Sequence, residues 1–127
     1  MEDTERSELF KRGIEQQRRT WGERYYRPSL YEQVDPDLHR IVVEFVHGEI
    51  LSRPGLDAKT RELLILVMLT VLGRAREVET RIHCALNVGW TRQEITEAII
   101  QSAIYAGFPL MHSALTLAKK VFEEREA

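Results

Sequence analysis

The sequence is short of cysteine, with one residue, Cys84, in 127. A lone thiol excludes an intrachain disulfide, a metal cluster built from several thiolates and a two-cysteine redox centre within one subunit. Charge imbalance is lacking too. Eighteen basic side chains stand against twenty acidic ones, a net charge of −2, where a nucleic-acid-binding domain would show a clear basic excess. Long apolar runs are also missing. The longest, Leu63 to Leu72, is broken only by Thr70 and falls well short of the roughly 20 residues that span a bilayer. The opening Met1-Glu2-Asp3-Thr4-Glu5-Arg6 carries charge where a secretory signal carries an apolar segment. The expected location is therefore the cytoplasm, which agrees with the single thiol.

What is present is the composition of a folded domain. Hydrophobic residues make up 43% and charged residues 30%, too apolar for a disordered chain. At roughly 100–200 residues per domain, residues 1–127 are expected to form a single one. No hairpin dipeptide separates alternating segments, no internal repeat occurs, and helical spacing recurs along the chain. Leu9, Phe10, Ile14 and Trp21 predict an amphipathic helix over residues 5–21. Trp21 to Asp35, rich in Tyr, Arg and Pro, reads as an ordered irregular segment. Asp35-Pro36 supplies an N-cap followed by proline at the first helical position. Leu38, Ile41, Val42, Phe45 and Val46 then give an apolar stripe at i, i+3, i+4, i+7 and i+8. Ser52-Arg53-Pro54-Gly55 is a turn, and Asp57 caps the next helix. That helix carries the Leu63–Leu72 run, which is apolar on every side and so is expected to be buried all round, in part by a second subunit. Gly73 breaks the chain before a helix over Arg74–Val88, with Gly89 as its C′ residue. Thr91-Arg92-Gln93-Glu94 matches a capping box. The fifth helix carries Ile95, Ala98, Ile99, Ser102 and Ala103. Gly107-Phe108-Pro109 leads into the sixth, with Leu110, Ala114, Leu117, Ala118 and Val121. The fold class is all-α, with about six helices.

Polar residues near the apolar centre are Glu62, Glu77, Arg81, His83 and Cys84. Glu77, Arg81 and Cys84 share one helical face at i, i+4 and i+7, and Glu77 is spaced for an ion pair with Arg81. Such a pair is either a solvated surface contact or the device that holds Arg81 toward a substrate carboxylate, for which its planar fork is suited. His83 is a candidate acid or base, with an ordinary hydrogen-bonded histidine as the alternative. His39, His47 and His112 stand under the same alternative. Cys84 reads as a small buried hydrophobe. No two histidines lie at i, i+4, so no metal is expected. A Gly-rich phosphate loop is likewise missing.

Several blocks of this sequence, in order, resemble the carboxymuconolactone decarboxylase family. They are Ser52-Arg53-Pro54-Gly55-Leu56-Asp57, Thr60-Arg61-x-Leu63-Leu64, Met68-Leu69-x-x-Leu72-Gly73-Arg74, Ala85-Leu86-Asn87-x-Gly89-x-Thr91-x-x-Glu94-Ile95-x-Glu97 and Tyr105-Ala106-Gly107-x-Pro109. His47-Gly48-Glu49 stands where the family often has Trp-Gly-Glu. The resemblance covers about residues 10–124. It implies the alkylhydroperoxidase D-like helical fold, assembled as a ring-shaped homo-oligomer, a trimer or hexamer. It implies a small-molecule substrate, an anionic lactone of the β-ketoadipate route of aromatic catabolism, and no metal or organic cofactor. Loss of CO2 leaves electron density that an unsaturated lactone accepts, so the protein must orient a carboxylate, stabilise negative charge and deliver a proton.

By position in the family pattern, Glu77, Arg81 and His47 are the expected catalytic residues. Arg74, His83 and Tyr105 are the expected substrate-binding ones. In the peroxidase branch a Cys-x-x-Cys-x-x-x-His motif occupies the positions of Arg74, Glu77 and Arg81. Both cysteines are replaced, which excludes thiol peroxidase chemistry even though Glu62 matches that branch's acidic residue. Decarboxylase relatives carry His where Arg81 stands, and Trp where His47 and Leu51 stand. His83 would point roughly 200° away from Arg81 and is no simple substitute. The proton donor is therefore expected at His47 or another residue. The alternatives are a paralogue catalysing cyclisation, isomerisation or lactone opening on a related acid, and a non-catalytic oligomeric binding protein.

Overall fold

The computed structural model describes residues 7–25 and 30–126, with side chains for all of these but 23–25. Every element among the described residues is helical. They are α1 (Glu8–Tyr25), α2 (Leu30–Val34), α3 (Pro36–Ile41) running on into a π-wound segment (Val42–Ile50), α4 (Ala58–Leu72), α5 (Ala75–Asn87), α6 (Arg92–Ala106) and α7 (Phe108–Glu126). The contacts gather into two units, Met1–Ala58 and Lys59–Ala127. No helix among the described residues is long and apolar enough to cross a membrane. The charged opening Met1–Arg6, including the start of the helix expected from residue 5, and positions 26–29 of the expected irregular segment lie outside the described residues.

In the first unit, α1 packs against the π-wound segment. Regular geometry in α1 gives way at Gly22, where φ is 71°, close to the expected end at residue 21. Leu30–Val34 is a helix where an irregular segment was expected. Five residues are too few to print a 3.6-residue pattern on a sequence. Asp35 then caps α3 as its spacing predicts, its Oδ1 accepting from the Asp37 N–H at 3.0 Å, with Pro36 at the first position.

The apolar stripe of this stretch is corrected by the structure. Its buried row is His39, Val43 and His47, while Leu38, Ile41, Phe45 and Val46 are exposed in the single chain. Two physical causes combine. From Val42 the winding closes i→i+5 bonds, as in Leu51 N–H to the Val46 carbonyl at 2.8 Å, and this turns the chain less per residue than the α-helical stripe assumes. The row that faces α1 is set by backbone approach at two glycines. A Cβ on Gly13 would sit 2.2 Å from the Val43 carbonyl oxygen, and one on Gly48 would sit 2.5 Å from that of Leu9. The two helices touch main chain to main chain, and bulky apolar residues cannot enter that seam.

In the second unit, Leu66, Val78, Ile82, Ala85, Ile95, Ile99, Ala114, Ala118 and Val121 form the core. Local signals set its helix ends. Both Gly73 and Gly89 have positive φ, and each closes a Schellman pair of bonds. Gly73 donates to Thr70 and Arg74 to Leu69, and Gly89 donates to Leu86 and Trp90 to Ala85. The capping box forms in both directions, with Thr91 N–H to Glu94 Oε1 at 3.0 Å and Glu94 N–H to Thr91 Oγ1 at 3.1 Å. Trp90 Nε1 donates to the Lys59 carbonyl at 2.6 Å, and the Lys59 ammonium lies 4.5 Å over its ring. The single chain buries only one row of the helix that carries the Leu63–Leu72 run, which leaves the rest of the expected burial to a second subunit. Glu62, Leu66 and Thr70 form its buried row, whereas Leu64, Met68, Val71 and Leu72 are exposed in the single chain.

Gly13→Ala and Gly48→Ala should each lower stability by about 1–3 kcal/mol, the usual cost of forcing atoms into a filled contact. Gly55→Ala, whose Cβ meets nothing within 4 Å, should be close to neutral. Urea unfolding of the three variants checks this, and equal midpoints would show that the seam is not close-packed.

Candidate functional site

In the second unit the polar residues of α4 and α5 meet in a buried ion pair. Glu62 opens the inward row of α4, one helical turn before Leu66. Arg81 lies on α5 one residue before the core residue Ile82. Its Nη1 donates to Glu62 Oε1 at 2.8 Å, and the two side chains are 17% and 1% exposed. Glu62 Oε2 is buried and takes no hydrogen bond among the described residues. Cys84, one turn along α5 from Arg81, is fully buried. Burial, and after it the negative charge of Glu62, pushes its thiol up to about 12. At neutral pH it is a protonated thiol and no nucleophile.

The carboxylate on Arg81 is thus Glu62, and the local pairing expected of Glu77 is redirected. Glu77 sits in the first turn of α5 and accepts from Arg74 Nη2 at 3.1 Å. Its carboxyl is held below the usual range, first by a bond to its own backbone N–H and then by Arg74. A carboxylate favoured in this way is ionised at neutral pH and makes a poor proton donor. Arg74, Thr70, Gly73, Val78, Leu110 and Ser113 line a cavity of about 80 Å³, room for a small group rather than a whole ligand.

His83 faces the other way, as its place on the helix requires. Its Nδ1 lies 3.3 Å from Arg125 Nη1 and its Nε2 lies 3.7 Å from Glu124. Arg125 also donates to Asn87 Oδ1 at 3.0 Å. This cluster ties the end of α7 to α5 and has the form of a structural latch. Tyr105 is 93% exposed on α6, so the single chain gives it no enclosure in which to grip a substrate. The structure therefore gathers Arg81 with Glu62 and Cys84, and Glu77 with Arg74. It leaves His83 and Tyr105 out of both groups.

His47 belongs to the first unit, in the buried row of the π-wound segment. Its Nδ1 lies 2.6 Å from Gln16 Oε1, and Ser52 Oγ donates to its carbonyl at 2.6 Å. Among the described residues no three His, Cys, Asp or Glu side chains are placed to hold a metal ion. Reading the sequence for function placed Glu62 near the apolar centre without making it the partner of Arg81, and it missed Gln16. A trace of Glu62 was there, since an acid heading an otherwise apolar helix must be paired if it is buried. Gln16 gave no trace, being one of several polar residues on α1.

Cys84 should resist alkylation at pH 8 in the folded chain and react at once in urea, since a thiol near 12 is about one part in ten thousand ionised there. Native labelling at the rate of a free thiol would show that the pocket around Glu62 is open. Glu62→Ala, which removes the buried carboxylate that Arg81 pairs with, should cost about 3–5 kcal/mol of stability, whereas Glu62→Gln should cost distinctly less. Thermal or urea unfolding separates the two.

Residues 36–120 match the model of the carboxymuconolactone decarboxylase family. The chain is 33% identical over 117 residues to 4-carboxymuconolactone decarboxylase of Acinetobacter baylyi, covering 91% of this chain and 87% of that one. It is 31% identical over 121 residues to nitrosuccinic acid decarboxylase of Metarhizium robertsii, covering 91% and 82%. A 15.0 kDa uncharacterized protein of Paracoccus denitrificans is 37% identical over 97 residues, covering 75% and 72%. The Glu62–Arg81 pair falls inside the matched region, and with these likenesses along nearly its whole length the chain belongs to the carboxymuconolactone decarboxylase family.

Proposed function

We propose that the protein is a cofactor-free decarboxylase acting on a small anionic acid, with 4-carboxymuconolactone as the first substrate to test. The observation that carries this reading is the Glu62–Arg81 pair. A buried ion pair adds little to stability compared with apolar residues of the same size, so its place in the core of α4 and α5 is better accounted for by chemistry. The two decarboxylase relatives suggest what that chemistry is. A carboxyl group on 4-carboxymuconolactone and one on nitrosuccinic acid each leave as CO2 from a molecule with an electron sink, an unsaturated lactone in one and a nitro group in the other. The electron pair of the broken C–C bond moves onto that sink, and a proton must then be returned to carbon.

In this reading Arg81 pairs with a carboxylate of the substrate through its planar fork, and Glu62 holds the guanidinium in place. Arg74 and Glu77 form a second charged pair in the same domain, with Arg74 a further contact for an anionic group. His47 is the proton donor proposed from its place in the family pattern, while Glu77, held ionised, and Cys84, held protonated and buried, are poor donors. The chain acts as one family domain, and its single buried thiol suits the cytoplasm.

The reading includes assembly. Leu64, Met68 and Leu72 lie at i, i+4 and i+8, with Val71 beside them, on an exposed row of α4. A row of large apolar side chains left exposed on one helix face marks an interaction surface, and a second copy of this chain in a homo-oligomer is the occupant proposed. A trimer or hexamer is the size to expect.

Loss of the ultraviolet absorbance of 4-carboxymuconolactone together with CO2 release tests the reaction, with nitrosuccinic acid assayed alongside. No turnover of either at high protein concentration would sink the decarboxylase reading. Arg81→Ala should lower kcat/KM about 100-fold or more, because a charged contact to the substrate is lost. Arg81→Lys should recover only part, because the bidentate geometry is not restored. Met68→Glu should reduce the assembly to smaller species in light scattering, and an unchanged mass would remove α4 from the interface.

A further inference from the structure

We infer that Gln16 is a positioning residue for His47, fixing which ring nitrogen carries the exchangeable proton. This rests on the reading of His47 as proton donor, and it concerns how the first unit prepares that histidine.

The geometry is specific. Gln16 and His47 are 6% and 5% exposed, 31 residues apart in sequence, and the Gln16 Oε1 to His47 Nδ1 distance is 2.6 Å. An amide oxygen only accepts, so a bond of this length places the proton on Nδ1. The neutral ring is then the Nδ1–H tautomer, and the proton gained and given up is the one on Nε2. An amide achieves this without adding charge, whereas a carboxylate in its place would hold the ring protonated more firmly. Three contacts hold the backbone on either side of this pair. Ser52 Oγ holds the His47 carbonyl at 2.6 Å. The Gly13 and Gly48 contacts set the spacing of α1 from the π-wound segment. The Thr20 hydroxyl, one turn beyond Gln16, folds back onto the Gln16 carbonyl at 3.1 Å. The π winding itself carries His47 into the buried row, and such local windings recur at functional positions.

Several charged and titratable groups among the described residues of the unit have other partners or are exposed. On α1, Glu8, Lys11, Arg12, Glu15, Arg18 and Arg19 are all exposed. On α3, Asp37 and Arg40 pair with each other, and Arg40 also reaches Glu44 of the π-wound segment at 3.3 Å. Glu44 accepts from Ser7 as well, and Glu49 is exposed. His39, two turns before His47, stands edge-on to Phe10 and lies 3.9 Å from Glu32 of α2. Gln16 is a side chain of α1 that reaches the His47 ring directly, at 2.6 Å.

The test uses the full chain, labelled with 15N on histidine, and the variants Gln16→Glu and Gln16→Met. In the wild type, long-range nitrogen–proton spectra above the histidine titration should show His47 protonated at Nδ1, with the His47→Asn spectrum identifying its signals. Protonation at Nε2 instead would overturn the inference. Gln16→Glu should raise the His47 titration by about one unit and move the alkaline limb of kcat/KM for 4-carboxymuconolactone upward with it, because a proton donor stays charged to higher pH. Gln16→Met, similar in size, should lower kcat about tenfold with KM little changed. If the His47 titration shifts in Gln16→Glu while the limb stays in place, Gln16 sets the ring but the positioning role in the reaction is refuted. If nothing turns over even in the wild type, the proposed function fails on its own, and the tautomer still decides the pairing. A Gln16→Met chain that does not fold leaves the Gln16→Glu and wild-type spectra to carry the decision.

Discussion

The arrangement of the second unit depends on a charge that cannot be left alone. Glu62 has almost no access to water, and an unpaired carboxylate at that depth would cost several kcal/mol or more. Arg81 meets it from α5, and the requirement propagates. The bond fixes the rotation of α5 against α4, which turns Val78, Ile82 and Ala85 into the apolar core and points His83 to the opposite side, where Arg125 and Glu124 receive it. The charge of Glu62 also adds to the state of Cys84. Burial first, and the negative charge of Glu62 after it, keep the proton on the thiol, so the chain's one cysteine is removed from redox chemistry by its surroundings as well as by its solitude.

The two charged pairs on α5 differ in kind, although they are separated by a single turn. Arg74–Glu77 is open to water, where each partner can find solvent and the pair is worth little. Glu62–Arg81 is enclosed, where the field of each charge is felt strongly. An anion that reached the enclosed pair would be attracted by the guanidinium at short range and repelled by the carboxylate behind it.

Much of the fold was legible because its punctuation is local. Asp35-Pro36, Gly73, Gly89 and the Thr91–Glu94 box each act within a few residues, and each has the role its chemistry dictates. What could not be read was anything that depends on a distant partner. The stripe from Leu38 to Val46 is real as a pattern, yet glycine seams and π winding turned it outward. Leu30–Val34 was too short to announce itself. The site fared similarly. Arg81 was marked by its place in the family pattern and by helical spacing, but spacing nominates neighbours on the same helix. Glu77 was the nearest acid in sequence, and its own helix start and Arg74 claimed it. Glu62, 19 residues away, became the partner through the packing of two helices.

The π winding of residues 42–50 has a consequence for how this region can change. An α-helix advances 100° per residue, so the aim of any side chain along a regular helix is set by its number in the sequence. Through the wider turns after Val42, the aim of His47 is set by a count of residues held in reserve. Deleting one residue upstream of it would let ordinary winding resume and would swing the ring away from Gln16, although every remaining side chain would be native. The register of His47 is in this sense a matter of chain length. It is far more tolerant of exchange among the neighbouring apolar residues than of a single insertion or loss.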